Sequence, residues 1–167
     1  MTVPPIPTDR KASGPLLKNE NLFFKKLIPM SNPSRIYSRF FTIPQSAIDE
    51  NGHVNNVAYV KWMQDIAVEH YESIGGVQAQ GPDATWVVRE HRIEYLLPAF
   101  ASEEIEIRTW VENVRRVRSL RKYEFVRRSD GRILVKGETD WVFVDATTGM
   151  PRAIPKEVSG VFNLSSE

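Results

Sequence analysis

The spacing of apolar residues along this chain changes twice. Ile36-Tyr37-Ser38-Arg39-Phe40-Phe41-Thr42-Ile43 is rich in β-branched and aromatic residues and predicts a strand. Further on, Tyr59, Trp62, Met63, Ile66, Ala67, His70, Tyr71 and Ile74 recur at i, i+3, i+4, i+7 spacing, with Lys61, Asp65, Glu69 and Glu72 between them. This pattern predicts a helix that begins at Asn55 or Asn56, either of which can cap it, and ends at Gly75-Gly76. Residues 78–84 read as a loop. Four strand-like runs follow, over 85–97, 104–111, 119–128 and 132–145. In the second run Ile105, Ile107, Thr109 and Val111 alternate with Glu104, Glu106, Arg108 and Trp110. Ser129-Asp130-Gly131 is a hairpin turn between the last two. Strands at short, even spacing imply an antiparallel sheet. The apolar face of the helix is wide enough to need cover nearly all round, which a strongly curved sheet wrapped around it would provide. The expected class is therefore α+β, with one long central helix.

Composition narrows the chemistry. The chain has 167 residues, a net charge of +1 and no cysteine. That size suits one domain. Lack of Cys excludes disulfides, thiolate metal ligands and a Cys nucleophile. The near-zero charge gives no case for nucleic acid. No apolar run reaches the ~18 residues of a membrane span, and the first residues lack the apolar core of a secretory signal. A soluble, cytoplasmic protein with no membrane partner is the expectation. Residues 1–34 are rich in Pro, Ser and Lys, show no sustained period and read as a flexible arm. The patch Leu22–Ile28 within them reads as a surface-packed turn of helix. Residues 35–167 form the expected domain. No Gly-rich phosphate loop, metal-ligand spacing or Gly-x-Ser-x-Gly elbow is present, so neither metal nor serine-hydrolase chemistry is expected.

The informative stretch is Asp49-Glu50-Asn51-Gly52-His53-Val54-Asn55-Asn56-Val57-Ala58-Tyr59. A carboxylate, an amide and an imidazole occupy alternate positions just ahead of a helix. A helix N-terminus is a useful place to polarise a carbonyl. In extended backbone 49, 51 and 53 would project to one side, although Gly52 permits a bend. Asp49 is either a reactive carboxylate or a turn residue. His53, with an ordinary pKa near ~6.5, is either a general base or a locally bonded loop residue. Asn51 either orients a water or carbonyl, or forms an Asx-turn.

This loop resembles the D-x-N-x-H-V-N-N-x-x-Y pattern of plant acyl-carrier-protein thioesterases. Across roughly 35–163 the chain is similar to the wider 4-hydroxybenzoyl-CoA thioesterase family. The resemblance implies a hotdog fold and hydrolysis of an acyl-CoA, or an acyl-carrier-protein thioester, to a free acid and a thiol. It implies that Asp49 is the essential carboxylate, as nucleophile or general base, assisted by His53 and Asn51. The backbone amide of Asn56 would polarise the carbonyl, with Asn55 beside it. Glu90 matches the functional Glu of a plant Arg-Glu-Cys pattern, and either activates water, for its own or a facing subunit, or is an outward-facing strand residue. His91 stands where that pattern has Cys, which rules out a thiolate there. Tyr59, Trp62 and Met63 would line an acyl tunnel, although core packing alone explains them. His70, on the same apolar face, reads as a satisfied core residue.

The basic run Arg115, Arg116, Arg118, Ser119, Arg121 either is solvated surface or meets the phosphates of coenzyme A, since Arg pairs well with phosphate. Ser119 would donate a hydrogen bond near the thioester. No cofactor is implied beyond the coenzyme A or phosphopantetheine that the substrate carries. A homodimer or homotetramer is implied, because a single hotdog domain usually pairs its sheet with a second copy. The alternatives are a non-catalytic acyl-CoA-binding protein and an acyl-CoA hydratase on the same fold.

Overall fold

A computed structural model of the chain describes residues 36–164. The arm expected over 1–34, with its Leu22–Ile28 patch, lies outside them. The elements run β1 (Tyr37–Thr42), α1 (Asn56–Ser73), α2 (Gly76–Gln80), β2 (Ala84–Tyr95), β3 (Glu104–Arg115), β4 (Arg118–Arg127), β5 (Ile133–Asp145) and α3 (Lys156–Gly160). A short 3-10 turn, Gln45–Ala47, lies between β1 and α1. The five strands form one antiparallel sheet in the order β1-β3-β4-β5-β2. This is the α+β hotdog order of a strand, a long helix and four strands.

Two short helices depart from the expected pattern. Gly75, at φ +78°, turns the chain out of α1, and α2 follows where the sequence suggested loop. A Cβ at Gly76 would lie 2.1 Å from the Tyr71 ring, so only glycine lets α2 start this close to α1. α3 spans too few residues for a period to emerge, yet it buries Val158 completely.

Alternation decides which side chains meet the helix. Ile105, Ile107, Thr109 and Val111 of β3 and Ser119, Arg121, Tyr123 and Phe125 of β4 turn inward and are buried. α1 answers with Tyr59, Trp62, Met63, Ile66, Ala67 and His70. Aromatic edges lock the contact, with Tyr59 on Phe125 at 5.1 Å and Trp62 on Phe41 at 4.8 Å between ring centroids. Gly137 of β5 faces Met63, and a Cβ there would sit 2.8 Å from its Sδ. The opposite stripe of α1, with Lys61, Gln64, Val68 and Glu72, is exposed. The helix is thus covered on one side rather than nearly all round. Its polar stripe, tied by the Lys61–Asp65 pair at 2.7 Å, belongs in water.

A polar cluster interrupts this core. Arg121 is only 4% exposed, and its Nη1 lies 2.9 Å from His70 Nδ1 and 3.1 Å from Thr109 Oγ1. The His70 ring stacks on Tyr37 at 5.2 Å. A guanidinium only donates, so Nδ1 of His70 must be the acceptor and the imidazole neutral. Burial, reinforced by the Arg121 charge, lowers the His70 pKa to about 4. Between 6.5 and 4 the unfolded chain therefore binds the extra proton, and stability falls as pH drops through that window.

Two measurements check this packing. Trp62→Ala should cost ~3–5 kcal/mol in denaturant unfolding; a loss under ~1 kcal/mol would mean that Trp62 is not core. For His70, wild type should lose at most ~3 kcal/mol from this group between pH 7 and pH 4. His70→Gln, which keeps an acceptor for Arg121, should flatten that slope. An equally steep profile in the variant would show that a neutral His70 is not its source.

Candidate active site

The loop before α1 is a closed hairpin, not an extended segment. The Gly52 amide donates to the Asp49 carbonyl at 3.0 Å and the Asp49 amide to the His53 carbonyl at 3.0 Å, while Ile48 and Val54 form a bridge. Gly52 at φ +80° supplies the left-handed residue that this tight turn requires. Positions 49, 51 and 53 therefore do not share one side as extended backbone would have it. The turn instead sets Asp49 and His53 opposite each other, with Oδ1 and Nδ1 3.8 Å apart. Asn51 caps the turn through its backbone, its N–H donating to Asp49 Oδ1 at 2.8 Å, and its side chain is exposed. The side chain of Asp49 is 21% exposed and that of His53 41%.

The loop is fixed at both ends. The Val54 amide donates to the Ala99 carbonyl, and the Asn55 amide to the Ala47 carbonyl. Asn55 caps α1, its Oδ1 accepting from the Val57 amide at 2.9 Å, while the Ala58 amide donates to the Asn55 carbonyl. The Asn56 amide, between the bonded amides of Asn55 and Val57, has no hydrogen-bond partner among the described residues. A carboxylate, an imidazole and an open helix-terminal N–H thus come from one short segment, which is the equipment needed to activate a water and hold an oxyanion.

The other candidates fall elsewhere. Glu90 pairs in register with Asp140 and lies on the outer face of the sheet, away from α1. It borders a groove of about 290 Å³ with Arg92, Asn113, Arg115, Arg118 and Asp140. His91 turns the opposite way, with Nδ1 2.8 Å from Thr139 Oγ1, and burial lowers its pKa. Tyr59 and Trp62 are core residues, and burial followed by the Tyr95 charge raises the Tyr59 hydroxyl to about 12.

Strand alternation breaks up the basic run. Arg115 and Arg116 are exposed at the β3–β4 turn. Arg118 is held on Asp140 together with Arg89, and these bonds, that of Arg118 foremost, hold the Asp140 carboxyl below its ordinary pKa. Ser119 and Arg121 point inward, away from any surface phosphate. They border a second cavity, of about 270 Å³, between α1, α2 and the sheet. Tyr71, Trp86 and Trp141 also line it. Sequence reasoning passed over Trp86 and Trp141, although their register positions opposite Phe143 and Ser119 place them on the inner face. Among the described residues, no cluster of three or more His, Cys, Asp or Glu is arranged to hold a metal ion, and no helix is long and apolar enough to cross a membrane.

The chain is similar to several solved structures. A 1,4-dihydroxy-2-naphthoyl-CoA thioesterase from Synechocystis is 12% identical, with 77% of this chain and 96% of that one covered and a TM-score of 0.68. A DHNA-CoA thioesterase from Staphylococcus aureus is 20% identical, covering 71% of this chain and 80% of that one at a TM-score of 0.64. An acyl-ACP thioesterase from Bacteroides thetaiotaomicron is 23% identical, covering 75% of this chain but 52% of that one, at a TM-score of 0.68. Comparison with curated proteins gave no match. A family model of the thioesterase-like superfamily matches residues 43–162, which spans the Asp49 loop, α1 and every strand after it. The chain belongs to the thioesterase-like superfamily and has the hotdog fold.

Proposed function

We propose that the protein is a cytoplasmic acyl thioesterase that hydrolyses an acyl-CoA, or an acyl-carrier-protein thioester, to a free acid and a thiol. The observation that supports this reading is that Asp49 and His53 lie 3.8 Å apart in the loop that leads directly into α1, whose first amide, that of Asn56, is unbonded among the described residues. Asp49 acts there as nucleophile or general base. As a base it takes a proton from water, the hydroxide adds to the thioester carbonyl, and the C–S bond breaks to release a thiolate that is then protonated. In this reading His53 relays that proton. The Asn56 N–H faces the oxyanion. Coenzyme A or phosphopantetheine arrives as part of the substrate, and no other cofactor takes part.

Magnitudes argue for an oligomer. A helix terminus at an exposed site contributes ~0.3–1 kcal/mol, whereas a desolvated oxyanion donor supplies ~2.7–4 kcal/mol. The loop is part-exposed in one protomer, so a second copy must dry it. β2 supplies the means, being a 12-residue edge strand with Val87 and Val88 exposed. Long bare edges with apolar side chains invite pairing. A homodimer joined along β2, alone or within a homotetramer, covers that edge. Glu90, on the face opposite α1, is not brought to the Asp49 loop by pairing along this edge. Arg115 and Arg116 are the cations of the basic run left for substrate phosphates.

Asp49→Asn keeps an oxygen for the Asn51 amide, so folding should be unchanged while turnover falls ~10²–10⁴-fold. Near-wild-type thiol release by this variant on every accepted thioester would remove Asp49 from the mechanism. Release of no more than one equivalent of thiol by wild type would mean a binder rather than a hydrolase. Exchanging Arg115 and Arg116 for Ala should raise KM for a CoA thioester severalfold at low salt and leave kcat nearly unchanged; an unaltered KM would exclude them from phosphate binding.

A further inference from the structure

We propose that the cavity between the second half of α1 and the inner face of β4 and β5 binds an organic carboxylate with a flat apolar body, and that Arg121 is its anchor. The first reason is an uncompensated charge. Arg121 is 4% exposed and lines the cavity, yet no described carboxylate pairs with it. Its bonds go to His70 and Thr109, both neutral. Arginine stays protonated at any ordinary pH, so losing a proton does not relieve the cost of burying it. A buried cation calls for an anion, and the cavity is where one can reach it.

The second reason is the polarity of the lining. Tyr71 Oη, Trp86 Nε1 and Trp141 Nε1 are buried and complete no hydrogen bond among the described residues. Trp86 lies beside Tyr71, and Trp141 beside Tyr123, without closing a bond of good geometry. Guanidinium and indole N–H groups can only donate, and the Ser119 and Tyr71 hydroxyls can donate too. Glu72, the carboxylate of the lining, sits on the exposed stripe of α1 and forms no ion pair with Arg121. Gln64, Glu72, Gln80 and Thr85 also line the cavity and can accept, but none of them bonds Arg121, so the buried end around the guanidinium is richer in donors than in acceptors. Buried polar groups in native proteins normally find partners, so an orphan donor set marks a missing acceptor.

The walls set the rest of the ligand. Trp86, Trp141, Phe162, Ala67 and Val77 border a volume of about 270 Å³. A planar apolar body with a two-oxygen anionic end matches both parts. Inorganic phosphate fits them poorly, being strongly hydrated and having no apolar part.

Such a carboxylate has two sources: a free carboxylic acid, or the far end of an acyl group whose other end is a thioester. The second source rests on the thioesterase reading, while the site itself does not.

Calorimetry on the full chain with 2-naphthoate and with its neutral isostere 2-naphthamide separates charge recognition from apolar burial. The acid should bind about tenfold or more tightly than the amide, as expected for charge-assisted bonds to a buried guanidinium. Arg121→Gln should erase the difference, and naphthoate should quench indole fluorescence less in Trp86→Phe or Trp141→Phe. Equal binding of acid and amide, binding of neither at millimolar concentration, tighter binding of inorganic phosphate, a preference that survives Arg121→Gln, or quenching unchanged in both Trp variants would each overturn the proposal. Should Arg121→Gln fail to fold, the acid-against-amide comparison on wild type and the Trp variants still decide it. A CoA thioester with a terminal carboxylate on its acyl group then identifies the source. Faster hydrolysis than the uncharged thioester of equal length assigns the site to the acyl group; equal rates with naphthoate still bound assign it to a free acid. Hydrolysis of neither thioester would count against the thioesterase reading alone, since the calorimetry needs no turnover.

Discussion

The seating of α1 on the sheet through Met63 and Gly137 sets the position of everything else. Met63 is completely buried, and the space that a Cβ at position 137 would take is filled by its Sδ and Cε. Any larger residue there pushes the helix away or displaces a fully buried side chain, and overpacking of this kind costs ~1–3 kcal/mol. The height of the helix fixes where its first turn emerges. The Asn55 cap and the bonds to Ala47 and Ala99 then pin the Asp49 loop to that turn. The same seating fixes the other end, where α1 rises from the inner face of β4 and β5 and leaves a cavity with Arg121 on its border.

Each end handles charge differently. At the loop, Asp49 and His53 face each other at a part-exposed surface, where water still compensates both. Inside, Arg121 is compensated only by a neutral imidazole and a hydroxyl. A neutral His70 is then a condition for holding that guanidinium, because a protonated ring would set two cations in contact. Thr109 alternates inward with Ile105 and Ile107, where an aliphatic residue would pack as well, and its hydroxyl bridges Arg121 and the Lys122 carbonyl. This cluster is consistent in itself but lacks an anion.

Much of this was legible before any coordinates. The shift from period 2 to period 3.6 and back gave the sheet and the helix, because burial on one face leaves that signature in long elements. Short elements leave none, so α2 and α3 were hidden. The Asp49 loop was legible as chemistry but not as geometry. Its residue types pointed to acid–base work, yet counting alternate positions held only for extended backbone, and the left-handed Gly52 makes a hairpin that sets Asp49 3.8 Å from His53 instead. The basic run misled by composition. Arg121 shares parity with Tyr123 and Phe125, and Ser119 with Arg121, so alternation alone placed both inside. The density of charge around them drew attention to the surface. Glu90 stood between a role matched by likeness and an outward-facing strand position, and the register opposite Asp140 decides for the second.

The distance between the two ends bears on how they can cooperate. Gln64, on the near side of the cavity, lies eight residues beyond Asn56, or ~12 Å along the helix. Tyr59, Trp62 and Met63 fill the core in that interval, so within one protomer the loop and the cavity are separated by packed side chains. The cavity wall, however, includes Thr85 and Trp86 of β2, and the next residues of that strand are the exposed Val87 and Val88. A chain that pairs with this edge must therefore border the cavity as well as cover the strand. The proposed pairing along β2 and the proposed occupancy of the Arg121 cavity would thus act on the same short segment, Thr85 to Val88, so whatever seated one would bear on the other.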